Sequence, residues 1–142
     1  MSAINFFSED VSFVLKQKRI IRQWVNQICT QYGQEIDSVN FIYCSDNYLL
    51  KINQDYLDHD YFTDIITFDE REDLSEPITA DIFISVDRVK DNAKTVGTTF
   101  TQELHRVMIH GMLHMLGEDD KTEAAKQQMR KSEEASLSLL KL

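Results

Sequence analysis

The chain of 142 residues has the length of one domain, and its 42% hydrophobic content is enough to bury a core. Its net charge of −9 argues against a broad surface that coats nucleic acid, although a basic patch or a metal ion can still hold one anionic ligand. No apolar run reaches the roughly 18 residues that a membrane span needs, and the first residues lack a signal-peptide pattern. We therefore expect one cytoplasmic domain over residues 1–142.

The hydrophobic pattern interleaves strands with helices along the chain and ends in helices. In chain order it predicts strand 4–8, helix 16–32 ended by Gly33, strand 39–44, a helix capped by Ser45 and running to about Leu57, strand 63–68, strand 78–85, helix 86–96, helix 100–116 and helix 122–141. Thr98, Thr99 or Thr101 is the expected cap of helix 100–116. The pattern predicts an α+β fold in which about five helices cover a small mixed sheet of four strands.

Charge is distributed unevenly. Residues 16–22 carry four cationic side chains and no acid, whereas the region from Asp55 to Asp87 has Arg71 as its only lysine or arginine. The basic segment either follows the backbone of a nucleic acid or forms a solvated helix face.

The stretch HGMLHMLGEDD, residues 110–120, carries the clearest chemistry in the sequence. His110 and His114 stand four residues apart, which places both imidazoles on one face of a helix. Gly117 allows a left-handed turn at the end of that helix, and this turn can bring Asp120 back toward the histidines. Two imidazoles and a carboxylate leave one position of a tetrahedral Zn²⁺ open, as catalytic sites do.

The same spacing occurs in zinc peptidases, but one residue argues against peptidase chemistry. In those enzymes a glutamate follows the first histidine and deprotonates the attacking water. Here that position is Gly111, which has no side chain to act as a base.

Three segments together resemble the YbeY family of metal-dependent endoribonucleases. The stretch HGMLHMLGEDD is similar to the family's H-G-x-L-H-L-x-G-Y-D-H, NQDYLDHDYFTDIITF (53–68) to N-x-x-Y-R-x-x-D-x-x-T-D-V-L-S-F, and ADIFIS (80–85) to G-D-I-x-I-S. The resemblance implies a mostly parallel sheet with one antiparallel strand and helices around it, the metal-site helix being zincin-like. It also implies one Zn²⁺ per chain, held by His110, His114 and Asp120, where Asp120 replaces the family's third histidine.

Leu57 stands where the family usually carries an arginine that is thought to serve phosphate binding or catalysis. Arg106, one turn before His110, is the best candidate to replace it, and a solvated helix residue is the alternative. His59 is either a proton-transfer group or a surface histidine near a helix end. Glu103 lies on the face of His110, where it either holds a ligand by an outer hydrogen bond or is exposed.

The resemblance implies metal-assisted hydrolysis of single-stranded RNA during ribosomal RNA maturation and ribosome quality control. The expected partners are ribosomal RNA and the ribosomal subunit, with neither a membrane nor DNA among them. A non-catalytic, metal-binding ribosome-assembly factor is the alternative, favoured by Leu57 and by the negative charge. A zinc hydrolase acting on peptides is a third hypothesis, which Gly111 disfavours.

Overall fold

A computed structural model describes residues 3–142, and in it a four-stranded sheet is covered by five helices. The elements are β1 (Ala3–Ser8), α1 (Lys18–Gln31), β2 (Ile36–Cys44), α2 (Asp46–Leu57), β3 (Ile65–Asp69), β4 (Ile78–Ser85), α3 (Val86–Val96), α4 (Phe100–Met115) and α5 (Glu123–Ser138). The strand order is β1-β2-β4-β3. Strands β1, β2 and β4 run parallel, and β3 pairs antiparallel with β4 at one edge. The predicted α+β fold, mostly parallel with one antiparallel strand, is confirmed.

The ends of the elements follow local backbone chemistry. Helix α1 begins at Lys18, two residues later than predicted, because Gln17 adopts a left-handed conformation with φ of 58°. Ser45 caps α2 as predicted, its side chain accepting a hydrogen bond from the backbone N–H of Tyr48. Among the three threonines proposed for α4, Thr99 is the cap, and it forms a capping box with Gln102.

Helix α4 is the central helix of the molecule, and most of its residues are buried. It packs against β3 and β4 on one side and against α3 and α5 on others. Gly111 makes the close approach to the sheet possible, since a Cβ built there would lie 2.7 Å from Cδ1 of Ile65. The missing side chain of Gly111 therefore has two consequences. It leaves no peptidase base at this position, and it lets α4 pack closely against the sheet.

Within residues 3–142, every helix is too short or too polar to cross a bilayer.

Candidate metal centre

The end of α4 delivers the two histidines and the following turn delivers the aspartate. The backbone N–H of Glu118 donates to the carbonyl of Leu113 at 3.0 Å, and Gly117 has the positive φ of 105° that such a turn requires. This turn reverses the chain, as the glycine position predicts. It brings Asp120 beside the histidines, with its Oδ2 at 3.7 Å from Nε2 of each.

The orientation of both imidazoles is fixed by groups that can only accept hydrogen bonds. Nδ1 of His110 lies 2.6 Å from a carboxylate oxygen of Glu133, and Nδ1 of His114 lies 3.0 Å from the backbone carbonyl of Glu118. Each Nδ1 must therefore carry a proton and donate it, which leaves a lone pair on Nε2 of each neutral ring.

These two lone pairs face each other. The Nε2 atoms of His110 and His114 are 3.0 Å apart, and the ligand atoms of His110, His114 and Asp120 all lie within 4.8 Å of one another. Two acceptors are stable at this distance only when a proton or a cation lies between them. The donor set of two imidazole nitrogens and one carboxylate fits Zn²⁺ with one open position. The three predicted residues are thus brought together in an arrangement that can hold a metal ion.

Glu133, on α5, contacts the candidate ligand His110, and the sequence did not reveal it as part of the site. It is 5% exposed, and it accepts from His110 and from Arg106, whose Nη1 lies at 3.1 Å. Burial raises the pKa of the Glu133 carboxyl, but His110 and Arg106 outweigh this effect and hold the pKa below its ordinary value. Burial lowers the pKa of His110, yet Glu133, Asp120 and Asp64 raise it above the ordinary value overall. The carboxylate therefore keeps the Nδ1 proton of His110 in place.

Arg106 is paired by two carboxylates and does not line the cavity in front of the histidines. Its guanidinium bonds the buried Glu103 as well as Glu133. Glu103, considered as an outer partner of a ligand, instead holds Arg106. The position of Arg106 thus makes it a support of Glu133, and its charge is already neutralised by two acids.

Arg71 supports the same turn from the opposite side. Its buried side chain forms an ion pair with Asp69 at 2.6 Å and donates to the carbonyl of Met115 at 2.7 Å. That carbonyl belongs to the last residue of α4, directly after His114. The hydrogen bond from the Arg71 side chain to Asp69 is the main cause that lowers the pKa of the Asp69 carboxyl. The only cation of the acidic region thus fixes the end of the metal-site helix.

A cavity of about 600 Å³ opens in front of the three candidate ligands, and this volume is within the range of about 300–1,000 Å³ for ligand sites. Its lining comprises Asn53, Leu57, His59, Tyr61, Thr63, Asp64, Ile65, Ile66, Thr67, Asp69, His110, His114, Met115 and Asp120. In the part of the chain that the structure describes, no lysine or arginine contributes to this lining. Burial raises the pKa of Asp64, an effect that Arg106 and His110 only partly offset.

The structure places His59 at this cavity, with Nδ1 at 3.0 Å from the hydroxyl of Tyr61. Leu57, at the position of the family arginine, also lines it and is 41% exposed. The basic segment 16–22 lies elsewhere, since the Arg22 guanidinium contacts the Ile4 carbonyl and the Phe6 ring on β1, the opposite sheet edge from β3.

Comparison with known proteins identifies the family of this chain. The family model described as "Endoribonuclease YbeY" matches residues 3–141. An endoribonuclease YbeY of Cytophaga hutchinsonii is 53% identical over 138 residues, covering 97% of this chain and 96% of the relative. One from Porphyromonas gingivalis is 43% identical over 141 residues, covering 99% and 92%. The solution structure of TM1509 from Thermotoga maritima superposes with a TM-score of 0.63 at 25% identity, covering 95% of this chain and 89% of TM1509.

Proposed function

The chain belongs to the YbeY endoribonuclease family, and from this premise we propose that it is a metal-dependent endoribonuclease that hydrolyses single-stranded RNA. One observation carries the proposal: the Nε2 lone pairs of His110 and His114 converge at 3.0 Å beside the Asp120 carboxylate. A chain that binds no metal has no need to hold two acceptors against each other, and the family relationship adds the nuclease activity. The family relationship supports ribosomal RNA as the substrate, the ribosomal subunit as the partner and the cytoplasm as the site of action.

In this proposal His110, His114 and Asp120 hold one Zn²⁺ per chain. A bound zinc ion supplies Lewis-acid chemistry to a phosphodiester, polarising its oxygens and favouring attack at phosphorus. Glu133 keeps the Nδ1 proton on His110, and the Glu118 carbonyl does the same for His114, so both Nε2 atoms stay available as ligands. Arg106 acts through Glu133 as a positioning residue.

Two titratable side chains that line the cavity are our candidates for proton exchange with a substrate. Asp64 lines it, and burial raises the pKa of this carboxyl, which favours its protonated form relative to an exposed carboxyl. His59 lines the outer part of the cavity and is exposed. We assign the release of the leaving oxygen to one of these two groups.

The test is cleavage of a labelled single-stranded RNA by the purified protein, with zinc and with a chelator. His114→Ala and Asp120→Asn each remove a ligand, and we expect both to abolish cleavage and to weaken zinc binding. Asp119→Asn is the matched control, because this exposed neighbour loses the same charge and bonds only the Lys121 backbone. It should cleave like the unmodified chain.

A chain that binds zinc through these residues but cleaves no single-stranded RNA with any divalent ion would overturn the enzymatic proposal. That result would leave a metal-binding ribosome-assembly factor as the better description. Cleavage that persists in His114→Ala at the original rate would instead overturn the assignment of the site.

A further inference from the structure

An exposed pair of aromatic rings stands at the mouth of the metal cavity. The rings of His59 and Tyr61 are stacked, with centroids 5.2 Å apart and planes at 21°. Tyr61 is 56% exposed although it lines the cavity. Contiguous exposed aromatic surface beside a cavity is one of the features that mark ligand-binding grooves.

The pair is held in place before any ligand arrives. The buried Asn53 accepts from the backbone N–H of His59 at 3.0 Å and donates its amide to the carbonyl of Tyr61 at 2.9 Å. Between them, Asp60 accepts from the side chain of Gln54 at 2.6 Å. All three loop residues are therefore anchored to α2, which lowers the entropy that the loop would lose on binding.

The charge of the cavity excludes the usual way of holding RNA. Asp64, Asp69 and Asp120 line it, while no lysine or arginine among residues 3–142 does. Phosphate contacts from cationic side chains, which dominate most nucleic-acid binding, are thus absent from this lining. Apart from a metal ion and hydrogen bonds from polar side chains such as Thr63 and Thr67, the lining offers stacking. Stacking suits single-stranded RNA because its bases are free to leave their neighbours.

We propose that His59 and Tyr61 form a nucleobase subsite, on which a base of single-stranded RNA next to the cleaved phosphodiester stacks. This inference rests on the proposed endoribonuclease function and names how its substrate is held. The subsite positions the RNA by an aromatic face, so it tolerates different bases and requires a base that is not paired.

Three variants separate stacking from structure. Tyr61→Leu removes the aromatic face, whereas Tyr61→Phe retains it and loses only the hydroxyl bond to His59. Neither change affects the Asn53 bond, which uses the backbone carbonyl of Tyr61. Phe62→Leu is the matched control, since this adjacent ring is 48% exposed but packs against Arg88 and does not line the cavity.

The measurement is kcat/KM of the zinc-loaded chain on a ten-nucleotide RNA and on versions with an abasic site at each position in turn. We expect Tyr61→Leu to lose about 5- to 100-fold in kcat/KM, and Tyr61→Phe and Phe62→Leu to stay close to the unmodified chain. One abasic position should cost the unmodified chain a similar factor and cost Tyr61→Leu almost nothing, because both changes remove the same contact. Zinc affinity of Tyr61→Leu should be unchanged.

Equal kcat/KM for Tyr61→Leu and the unmodified chain, or full additivity with every abasic position, would overturn the subsite. If the unmodified chain cleaves none of the RNAs, the proposed function fails separately. The same variants and RNAs are then compared by fluorescence anisotropy with the zinc-loaded chain. Loss of binding in Tyr61→Leu alone supports the subsite there, and equal binding overturns it.

Discussion

Replacement of Glu133 by glutamine tests whether its hydrogen bond to His110 determines metal affinity. Both carboxylate oxygens of Glu133 accept from groups that donate, namely Nδ1 of His110 at 2.6 Å and Nη1 of Arg106 at 3.1 Å. Glutamine has only one such oxygen, so its amide NH₂ must face one of the two donors. If it faces His110, the ring places its proton on Nε2 and cannot bind zinc through that atom. If it faces Arg106, two donors oppose each other in a buried site.

The expected loss follows from these contacts. Removal of a group that hydrogen-bonds a metal ligand typically lowers metal affinity about 10- to 100-fold, equivalent to about 1.4–2.8 kcal/mol. The side chain of Glu133 is only 7% exposed, so water cannot compensate the lost acceptor. We therefore expect a loss near the upper end of this range, together with a decrease in the free energy of unfolding of about 1–3 kcal/mol from the unsatisfied donor.

Competition with a chromogenic chelator measures the zinc affinity, and urea denaturation of the metal-free chain measures the stability. Glu134→Gln is the control, because it makes the same charge change at the next, exposed residue of α5. It should leave both quantities within error of the unmodified chain. If Glu133→Gln binds zinc as tightly as Glu134→Gln does, the hydrogen bond from His110 to Glu133 does not orient that histidine as a ligand, and the role assigned to Glu133 is refuted.

Three further predictions concern packing, pH and charge. Gly111→Ala should destabilise the chain, because the new Cβ would lie 2.7 Å from Cδ1 of Ile65. The same change should cost less stability in an Ile65→Val background, which lacks that Cδ1 atom. Additive losses of the two changes in urea denaturation would contradict this contact. Burial lowers the pKa of His105, so the unfolded chain binds more protons as the pH falls below about 6.5, and stability is lost in that window. Between pH 7 and 5 the free energy of unfolding of His105→Gln should decrease less than that of the unmodified chain, the difference being at most about 1.4 kcal/mol per pH unit. Parallel plots of unfolding free energy against pH for the two chains would refute this. Leu57→Arg adds a cation to a cavity lining to which no lysine or arginine among residues 3–142 contributes. The logarithm of the binding constant for single-stranded RNA should then fall more steeply with the logarithm of the salt concentration. The slope should change by about −0.7 for one phosphate contact. An unchanged slope would place residue 57 outside the path of the RNA.

The fold was largely predictable because its strands and helices have simple periodic patterns. Strand 78–85 was predicted from its apolar content with the bounds that the structure shows, and its last residue, Ser85, caps α3. Strand β2 was predicted too short, from 39 rather than Ile36, because polar residues and a register irregularity between Ile36 and Ser38 interrupt its pattern. Such an irregularity depends on the neighbouring strand β4, and the local sequence does not specify it.

The site was predictable only where it is local. The three proposed ligands fall within eleven residues, so helix periodicity and one glycine turn suffice to bring them together. Glu133 is 23 residues from His110 and reaches it through the docking of α5 on α4. A signal did exist: Glu133 follows the apolar Met129 by four residues and therefore lies on the same face of the helix. A charged residue on that face needs a buried partner, and this partner is the metal-site helix.

The two histidines consequently depend on different parts of the chain. His114 is oriented by the Glu118 carbonyl, within its own turn, whereas His110 is oriented by Glu133 on α5. A conformation in which α5 has left α4 retains the first orientation and loses the second, so it binds zinc more weakly than the docked one. Because a ligand stabilises the state that binds it better, we expect zinc at the proposed site to favour the docking of α5, by up to about 2.7 kcal/mol at a hundredfold excess over its dissociation constant. Arg106 contributes to the same coupling, since it joins Glu103 of α4 to Glu133 of α5. At the proposed site, metal binding and the docking of α5 on α4 are thus one linked equilibrium.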